Sequence, residues 1–306
     1  MSDMIDNAKY PVKQIAAIHD LSCFGRCALT VVTPTLSAMG NQVVPIPTAL
    51  LSTHTGGFEN MYFSDLTGAM EEIFDHFKCL GISFDAIYSG FLGNADQIDI
   101  VLKFADEFSH DNTLIFIDPV MGDDGKLYST YTKELCLRMK ELCERADIIT
   151  PNLTEACILA GVDYVDTSNM SETEAFGFAD LLREKLMSIC KGSIIITGIP
   201  YRDDMFGTYG YSKDRFEQGY MYSVKRISRS YPGTGDLFAS VLLGAILAGD
   251  ELGEAMKFAS DYICKVMEYS ARFDTPVRDG VAFEHFMAEL VQHTGREYGT
   301  KTFCEK

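Results

Sequence analysis

Apolar residues along the chain follow two alternating rhythms. Short unbroken runs at 15–19 (IAAIH), 42–47 (QVVPIP), 84–90, 113–119, 146–152 and 192–198 read as buried strands. Between them, apolar residues recur every three or four positions. That spacing predicts helices over 26–39 (ending at Gly40), 63–80, 95–108, 132–145, 154–160 and 171–190. In the 63–80 segment Leu66, Met70, Ile73, Phe74 and Phe77 share one helical face. Residues 52–57 (STHTGG) read as a loop, and 120–128 (VMGDDGKLY) carries turn signals throughout and reads as an exposed flap. Residues 205–225 alternate aromatic and polar groups, as a solvated antiparallel pair would. Helices then follow over 235–248, about 251–272 and about 281–293.

Strand runs alternating with helices predict an α/β fold with a mostly parallel central sheet and helices on both faces. No repeat or linker divides the chain, so a single domain spanning 1–306 is expected, with 1–14 as an N-terminal extension and 273–306 as a C-terminal helix and tail. In open parallel sheets ligands bind beyond the carboxyl ends of the strands. Polar residues fall at those ends here: Asp20, Thr48, Ser89 with Gly90, Asp118, Thr150 to Asn152, and Thr197 with Gly198.

Composition narrows the partners. The 47% apolar and 23% charged content is that of a globular protein, and the formal net charge of −18 repels phosphate backbones, so neither nucleic acid nor an anionic membrane is an expected partner. Nine scattered cysteines, an odd number without a C-x-x-C pair, read as reduced thiols in a cytoplasmic protein. The N-terminal MSDMIDNAKYPVKQ has no apolar core of a signal peptide.

The chemistry concentrates in residues 230–249, SYPGTGDLFASVLLGAILAG. Thirteen uncharged residues follow Asp236, too few to span a bilayer, which takes about 20. They read as a helix buried in the core. Its N-terminus carries unpaired N–H groups and partial positive charge, and Gly233 and Gly235 let that backbone turn toward an anion. Asp236 lies beside the same spot and can accept a proton from an attacking hydroxyl. An anion cradle and a base are the minimal equipment for phosphoryl transfer to an alcohol. Asp near a helix start is also a common cap, so these four residues alone leave both readings open. Other motifs are missing: no P-loop, no G-x-G-x-x-G after the first strand, no G-x-S-x-G elbow, and no H-E-x-x-H among the six histidines. Ser22 and Cys23 have no base near them in sequence.

The stretch YPGTGDLFASVLLGAILAG resembles the C-terminal signature of the ribokinase-like kinases. FIDPVMGDDGKLY, DIITPNLTEA, IYSGFLGN and DRFEQGYMYSVKRI (214–227) narrow the resemblance to the pyridoxal/pyridoxamine kinase branch, over residues 15 to about 272. It implies a three-layer α/β/α kinase with an antiparallel edge. It also implies ATP and Mg²⁺ as cofactors, a vitamin B6 hydroxymethyl group as acceptor and a homodimer, and leaves a monovalent cation open. Asp236 falls on the family's catalytic base and Gly233, Thr234 and Gly235 on its anion hole. Asp118 and Glu155 match acidic positions near magnesium and the nucleotide phosphates. Thr150 and Asn152 match the segment lining the nucleotide site, Thr197 a nucleotide contact that is often lysine, and Lys225, Arg226 and Ser228 the stretch flanking adenine and ribose. Thr48 matches a substrate-side residue.

Three departures bear on specificity. Asp20 stands where the branch typically offers serine, and a carboxylate there favours the cationic 4-aminomethyl group of pyridoxamine. Thr197 in place of lysine removes a positive charge. The related hydroxymethylpyrimidine kinases usually carry glutamine two residues after the threonine matching Thr48; Leu50 stands there instead. A non-catalytic B6-binding sensor of the same fold is the alternative outside enzymes, and the retained Asp236 and glycines argue against it.

Overall fold

The computed structural model describes residues 12–202, 204–213 and 219–295. Residues 214–218, the start of the DRFEQG stretch, lie outside these, as do the chain ends 1–11 and 296–306. The first half runs β1 (Gln14–Phe24), α1 (Leu29–Ala38), β2 (Gln42–Thr53), β3 (Phe63–Asp65), α2 (Thr67–Leu80), β4 (Ala86–Ser89), α3 (Asp96–Phe108), β5 (Leu114–Ile117), β6 (Gly122–Asp123), β7 (Lys126–Leu127) and α4 (Lys133–Arg145). The second half runs β8 (Ile148–Ile149), α5 (Leu153–Ala160), α6 (Glu172–Leu186), β9 (Ser193–Tyr201), β10 (Met205–Tyr211), β11 (Tyr220–Lys225), α7 (Thr234–Leu247), α8 (Leu252–Ser270) and α9 (Met287–Thr294).

The main sheet has the order β11-β10-β9-β8-β5-β4-β1-β2-β3. Strands β9, β8, β5, β4, β1 and β2 are mutually parallel, whereas β10 pairs antiparallel with both β9 and β11, and β3 antiparallel with β2. Strand period sorts side chains between two layers. Ala16, Ile18, Ile87, Ile117 and Ile196 join the core under α2 to α6, while Ile15, Ala17, Tyr88, Phe116 and Ile195 join the core under α1, α7 and α8. Both faces are therefore covered, which explains why the strand runs are unbroken rather than alternating. Among the described residues no helix is long and apolar enough to cross a membrane, and the eight cysteines there are all free.

Several expectations are corrected by tertiary context. Residues 63–65 are not the first turn of a helix but edge strand β3, antiparallel to β2 through Ala49–Asp65 and Leu51–Phe63. The helix begins only at Thr67, whose N–H is held by Asp65 Oδ1 at 2.9 Å. Strands β1 and β2 run past the predicted ends, to Phe24 and Thr53. Their register shifts between the His19–Pro47 and Leu21–Leu50 pairs, so Asp20 on β1 and Thr48 on β2 fall at an irregularity where the two strands are not paired residue to residue. Strand β10 is mostly buried rather than solvated, because α6 and α8 both pack against it.

The 120–128 segment is exposed over 123–128, as expected, and is ordered as a hairpin. Asp124 and Gly125 form its turn with φ of 48° and 72°, the left-handed pair that a two-residue hairpin turn requires. Its base is buried at Met121 and Gly122, and residues 123–129 are exposed.

Candidate active site

Two concavities meet at the start of α7. The inner one, about 160 Å³, lies among Asp20, Asp118, Glu155, His54, Phe91 and Asp236. The outer cleft, about 680 Å³, is bounded by Thr197, Phe206, Lys225 to Ser230, Thr234 and Cys264. Tyr128, Asn152, Thr197, Gly233, Gly235 and Phe238 border both. Of the strand-end residues read from sequence, Asp20, Asp118, Thr150, Asn152, Thr197 and Gly198 line this two-chambered site, whereas Thr48, Ser89 and Gly90 lie on neither wall.

The helix start is built as its sequence implies. The first intrahelical bond runs from Leu237 N–H to the Gly233 carbonyl, so the N–H groups of Thr234, Gly235 and Asp236 precede the helix ladder. Gly233 has φ 76°, and a Cβ there would fall 1.9 Å from the Arg26 carbonyl oxygen. Only glycine satisfies both the left-handed backbone and that approach. The loop after β1 leans on the helix from the other side. Ala28, itself at φ 50°, donates its N–H to Asp236 Oδ2 at 2.8 Å, and the Cys27 thiol donates to the same oxygen at 3.4 Å. The Asp236 carbonyl accepts the Ser240 hydroxyl at 2.6 Å. Sequence reading missed Cys27 and Ala28, because nothing local announces that a loop 208 residues away will dock on the helix.

Four carboxyl groups face or back the inner chamber, and burial sets the state of all of them. Burial pushes Asp20 up to about 7, opposed by the hydrogen bond from Ser22 Oγ at 2.7 Å and reinforced by the charge of Asp236. Asp118 is pushed up to about 8 by burial and then by Asp236, while the Thr150 hydroxyl at 3.2 Å works the other way. Burial and then Asp118 hold Glu155 well above the carboxylate range. Asp236 is also raised by burial, and the Ala28 and Cys27 donors hold it back. Desolvation and like charge act together here, the pattern of a site that awaits a cation or a proton transfer.

The remaining expected residues divide by chamber. Thr150 sits at the end of β8, its N–H on the Ile117 carbonyl, and binds Asp118. Asn152 and Glu155 form a capping box on α5, and both reach the hairpin: Asn152 Nδ2 donates to the Gly122 carbonyl at 2.7 Å, and Met121 N–H donates to Glu155 Oε1 at 3.0 Å. The other Glu155 oxygen takes the Asn152 N–H at 2.8 Å, and Gly125 N–H is held by Thr154 Oγ1 at 2.9 Å. Glu155 therefore serves first as the rivet between α5 and the hairpin, which also pins the segment expected to act as a flap.

Thr197 straddles both chambers with its N–H on the Pro151 carbonyl. Arg226 lies over the Phe206 ring at 5.1 Å and reaches Ser168 Oγ at 3.4 Å; exposed Lys225 and Ser228 flank it on the cleft wall. Thr234 closes on itself, its hydroxyl donating to the Tyr231 carbonyl.

Thr48 is the exception. It is fully buried inside β2, donates to the Phe91 carbonyl at 2.9 Å, and accepts Gln97 Nε2 on its own carbonyl at 2.8 Å. The structure places it behind the wall, holding Phe91, rather than on the wall. The cavity residues that β2 and its loop do supply are Leu51, His54, Thr55 and Gly56, of which His54 is the titratable one. Its Nδ1 accepts the Gly56 N–H, so Nε2 carries the proton and donates to the Arg278 carbonyl at 2.6 Å, tying the loop after β2 to the segment around Arg278.

A divalent cation fits this site only in part. Among the described residues no group of three or more His, Cys, Asp or Glu side chains could cage one, and Glu155 is already engaged by backbone donors. Asp118 has one oxygen bonded to Thr150. That donor set suits an ion carried in on nucleotide phosphates and touched by one carboxylate or through water, as Mg²⁺ typically is.

Comparison with known proteins agrees with this geometry. The family model for phosphomethylpyrimidine kinase matches residues 14–278. A crystal structure of a candidate phosphomethylpyrimidine kinase from Bacteroides thetaiotaomicron, in a form with pyridoxal, is 38% identical, covers 91% of this chain and 96% of its own, and superposes with a TM-score of 0.83. Pyridoxal kinase from Lactobacillus plantarum is 26% identical over 93% of this chain and 99% of its own, with a TM-score of 0.83. A pyridoxine/pyridoxal/pyridoxamine kinase from Bordetella avium is 26% identical over 87% of this chain and 90% of its own. A match over nearly the whole chain, on a fold whose two chambers meet at a glycine-opened helix, leaves one conclusion: the chain is a kinase of the phosphomethylpyrimidine kinase family, built on the ribokinase-like fold.

Proposed function

We propose that the protein transfers the γ-phosphoryl group of ATP to the 5′-hydroxymethyl oxygen of a B6 vitamer. The observation that carries this is the position of Asp236: it stands where the inner chamber and the outer cleft join, beside the open N–H groups of α7. The acceptor ring fits the inner chamber and the nucleotide the outer cleft. Asp236 takes the hydroxyl proton as that oxygen bonds to phosphorus, the bond from phosphorus to the bridging oxygen breaks, and ADP leaves. The N–H groups of Thr234, Gly235 and Asp236 are placed to stabilise charge on the moving phosphoryl group. Mg²⁺ bound with the nucleotide would supply countercharge near Asp118.

The pyridoxal in the Bacteroides relative and the names of the Lactobacillus and Bordetella kinases support a B6 acceptor. The family description supports a second reading, in which the acceptor is hydroxymethylpyrimidine or its phosphate. Leu50 weighs against it. Within the B6 group, Asp20 favours pyridoxamine: its carboxylate is buried on the chamber wall, where a cationic aminomethyl group would offset both its desolvation and its repulsion from Asp236.

A coupled ADP-release assay with pyridoxamine, pyridoxal, pyridoxine and hydroxymethylpyrimidine tests both layers. Turnover of the B6 compounds, pyridoxamine foremost, is expected. Turnover of the pyrimidine alone removes the B6 assignment, and binding without turnover removes the kinase mechanism.

A further inference from the structure

Behind Asp236 lies a histidine that no part of the reaction described so far uses. His19 on β1 is fully buried, and neither ring nitrogen has a hydrogen-bond partner among the described residues. Its Nδ1 lies 4.0 Å from Asp236 Oδ1, the oxygen that the Ala28 and Cys27 donors leave open. Burying an imidazole without partners is costly, so such a group in a native core calls for an explanation. The ring is also confined. Tyr88 meets it edge-on with centroids 4.3 Å apart. Gly90, at the end of β4, gives it room: a Cβ at 90 would fall 2.3 Å from Nδ1 and 2.4 Å from Cε1.

We propose that His19 is a positioning residue for Asp236, donating its Nδ1–H to Oδ1 in the loaded enzyme and so fixing the carboxylate from the side opposite the loop. The inference deepens the reading of Asp236 as the base and rests on it. A gap of 4.0 Å is too long for a hydrogen bond, but catalytic contacts are often long before substrate binds and tighten in the complex. Burial pushes the imidazole down to about 3, so the contact is not an ion pair. That matters chemically. An imidazolium would hold Asp236 ionised too firmly for it to take a proton, whereas a neutral donor orients the carboxylate without that cost. Ala28 and Cys27 grip one oxygen, His19 steadies the other, and the remaining lone pair is aimed at the acceptor hydroxyl.

The test compares His19→Leu and His19→Asn, each alone and combined with Asp236→Asn, measuring kcat, both KM values and thermal unfolding. Losing the donor should lower kcat about tenfold to a hundredfold with KM for ATP and for pyridoxamine within about twofold, the scale on which misplacing a reacting group acts. Asparagine puts an amide nitrogen near the position of Nδ1 and should restore most of the rate. Neither variant should cost more once Asp236 is asparagine, because a residue acting through Asp236 has nothing left to position. If His19→Leu does not fold, Gly90→Ala, which drives the ring from its seat, should reproduce the kcat loss. Unchanged kcat in the His19 variants, a loss confined to KM for pyridoxamine, or a full further loss on top of Asp236→Asn would overturn the proposal while leaving Asp236 as the base. Full turnover by Asp236→Asn itself would remove the base and His19 with it.

Discussion

The two chambers share a wall but solve opposite electrostatic problems. The inner chamber gathers Asp20, Asp118, Glu155 and Asp236 with no lysine or arginine on its wall. Each carboxyl is raised by burial. The outer cleft carries Lys225, Arg226 and Arg229 on one wall and Asp123, Asp124 and Asp166 elsewhere on its lining, all on exposed or half-buried positions. A buried cluster of like charge is held together by its fold, at a cost that only a ligand can relieve. Exposed charges cost little, and the Lys225 to Arg229 wall recruits an anion only weakly, since solvent screens it. On the proposed reading, the inner chamber is where chemistry and selectivity reside, and the outer cleft is where the nucleotide polyanion is collected.

Substitutions on the two walls should therefore fail in different ways. The largest effect belongs to Asp236→Asn. It should lower kcat at least about 10²-fold, the low end of general-base effects, with ATP binding kept. Near-normal turnover in a steady-state assay would break the assignment.

Asp20→Asn should act next most strongly, and on preference rather than rate. The ratio of kcat/KM for pyridoxamine to that for pyridoxal should fall about tenfold, which is about 1.4 kcal/mol; an unchanged ratio would mean that Asp20 does not read the amine. The same variant has a pH signature. Asp20 stands near 7 in the fold against 3.8 as a free side chain, so the native state binds the extra proton between those values. Its contribution is present below about 4 and is lost as pH rises through about 7. Tm of the ligand-free protein should fall across that window, and asparagine at 20 should flatten the slope.

Arg226→Ala on the outer wall should be mildest: a few-fold rise in KM for ATP, with kcat unchanged, and a smaller rise at high salt. A large fall in kcat would show that the two chambers do not divide the work.

Much of this was legible in residues that act where they stand. The strand runs, the helix rhythm and the glycines before Asp236 are local patterns, and local patterns survive folding. Thr48 and Glu155 read less well. Thr48 was expected to face the acceptor, but β2 continues past it and turns its hydroxyl to Phe91. Glu155 was expected near a metal, but two backbone donors occupy it. His19 carries no motif and gave no signal at all.

The sequence by itself determined a parallel α/β sheet and a helix whose first residues can hold a phosphate beside a base, because backbone freedom at glycine and side-chain periodicity are properties of neighbouring residues. Only the tertiary structure decided what surrounds that base. The donors from Ala28 and Cys27, the imidazole of His19, and the burial that raises four carboxyl groups together all depend on segments distant in the chain being pressed into contact. Desolvation belongs to a packed interior and cannot be assigned to any residue alone.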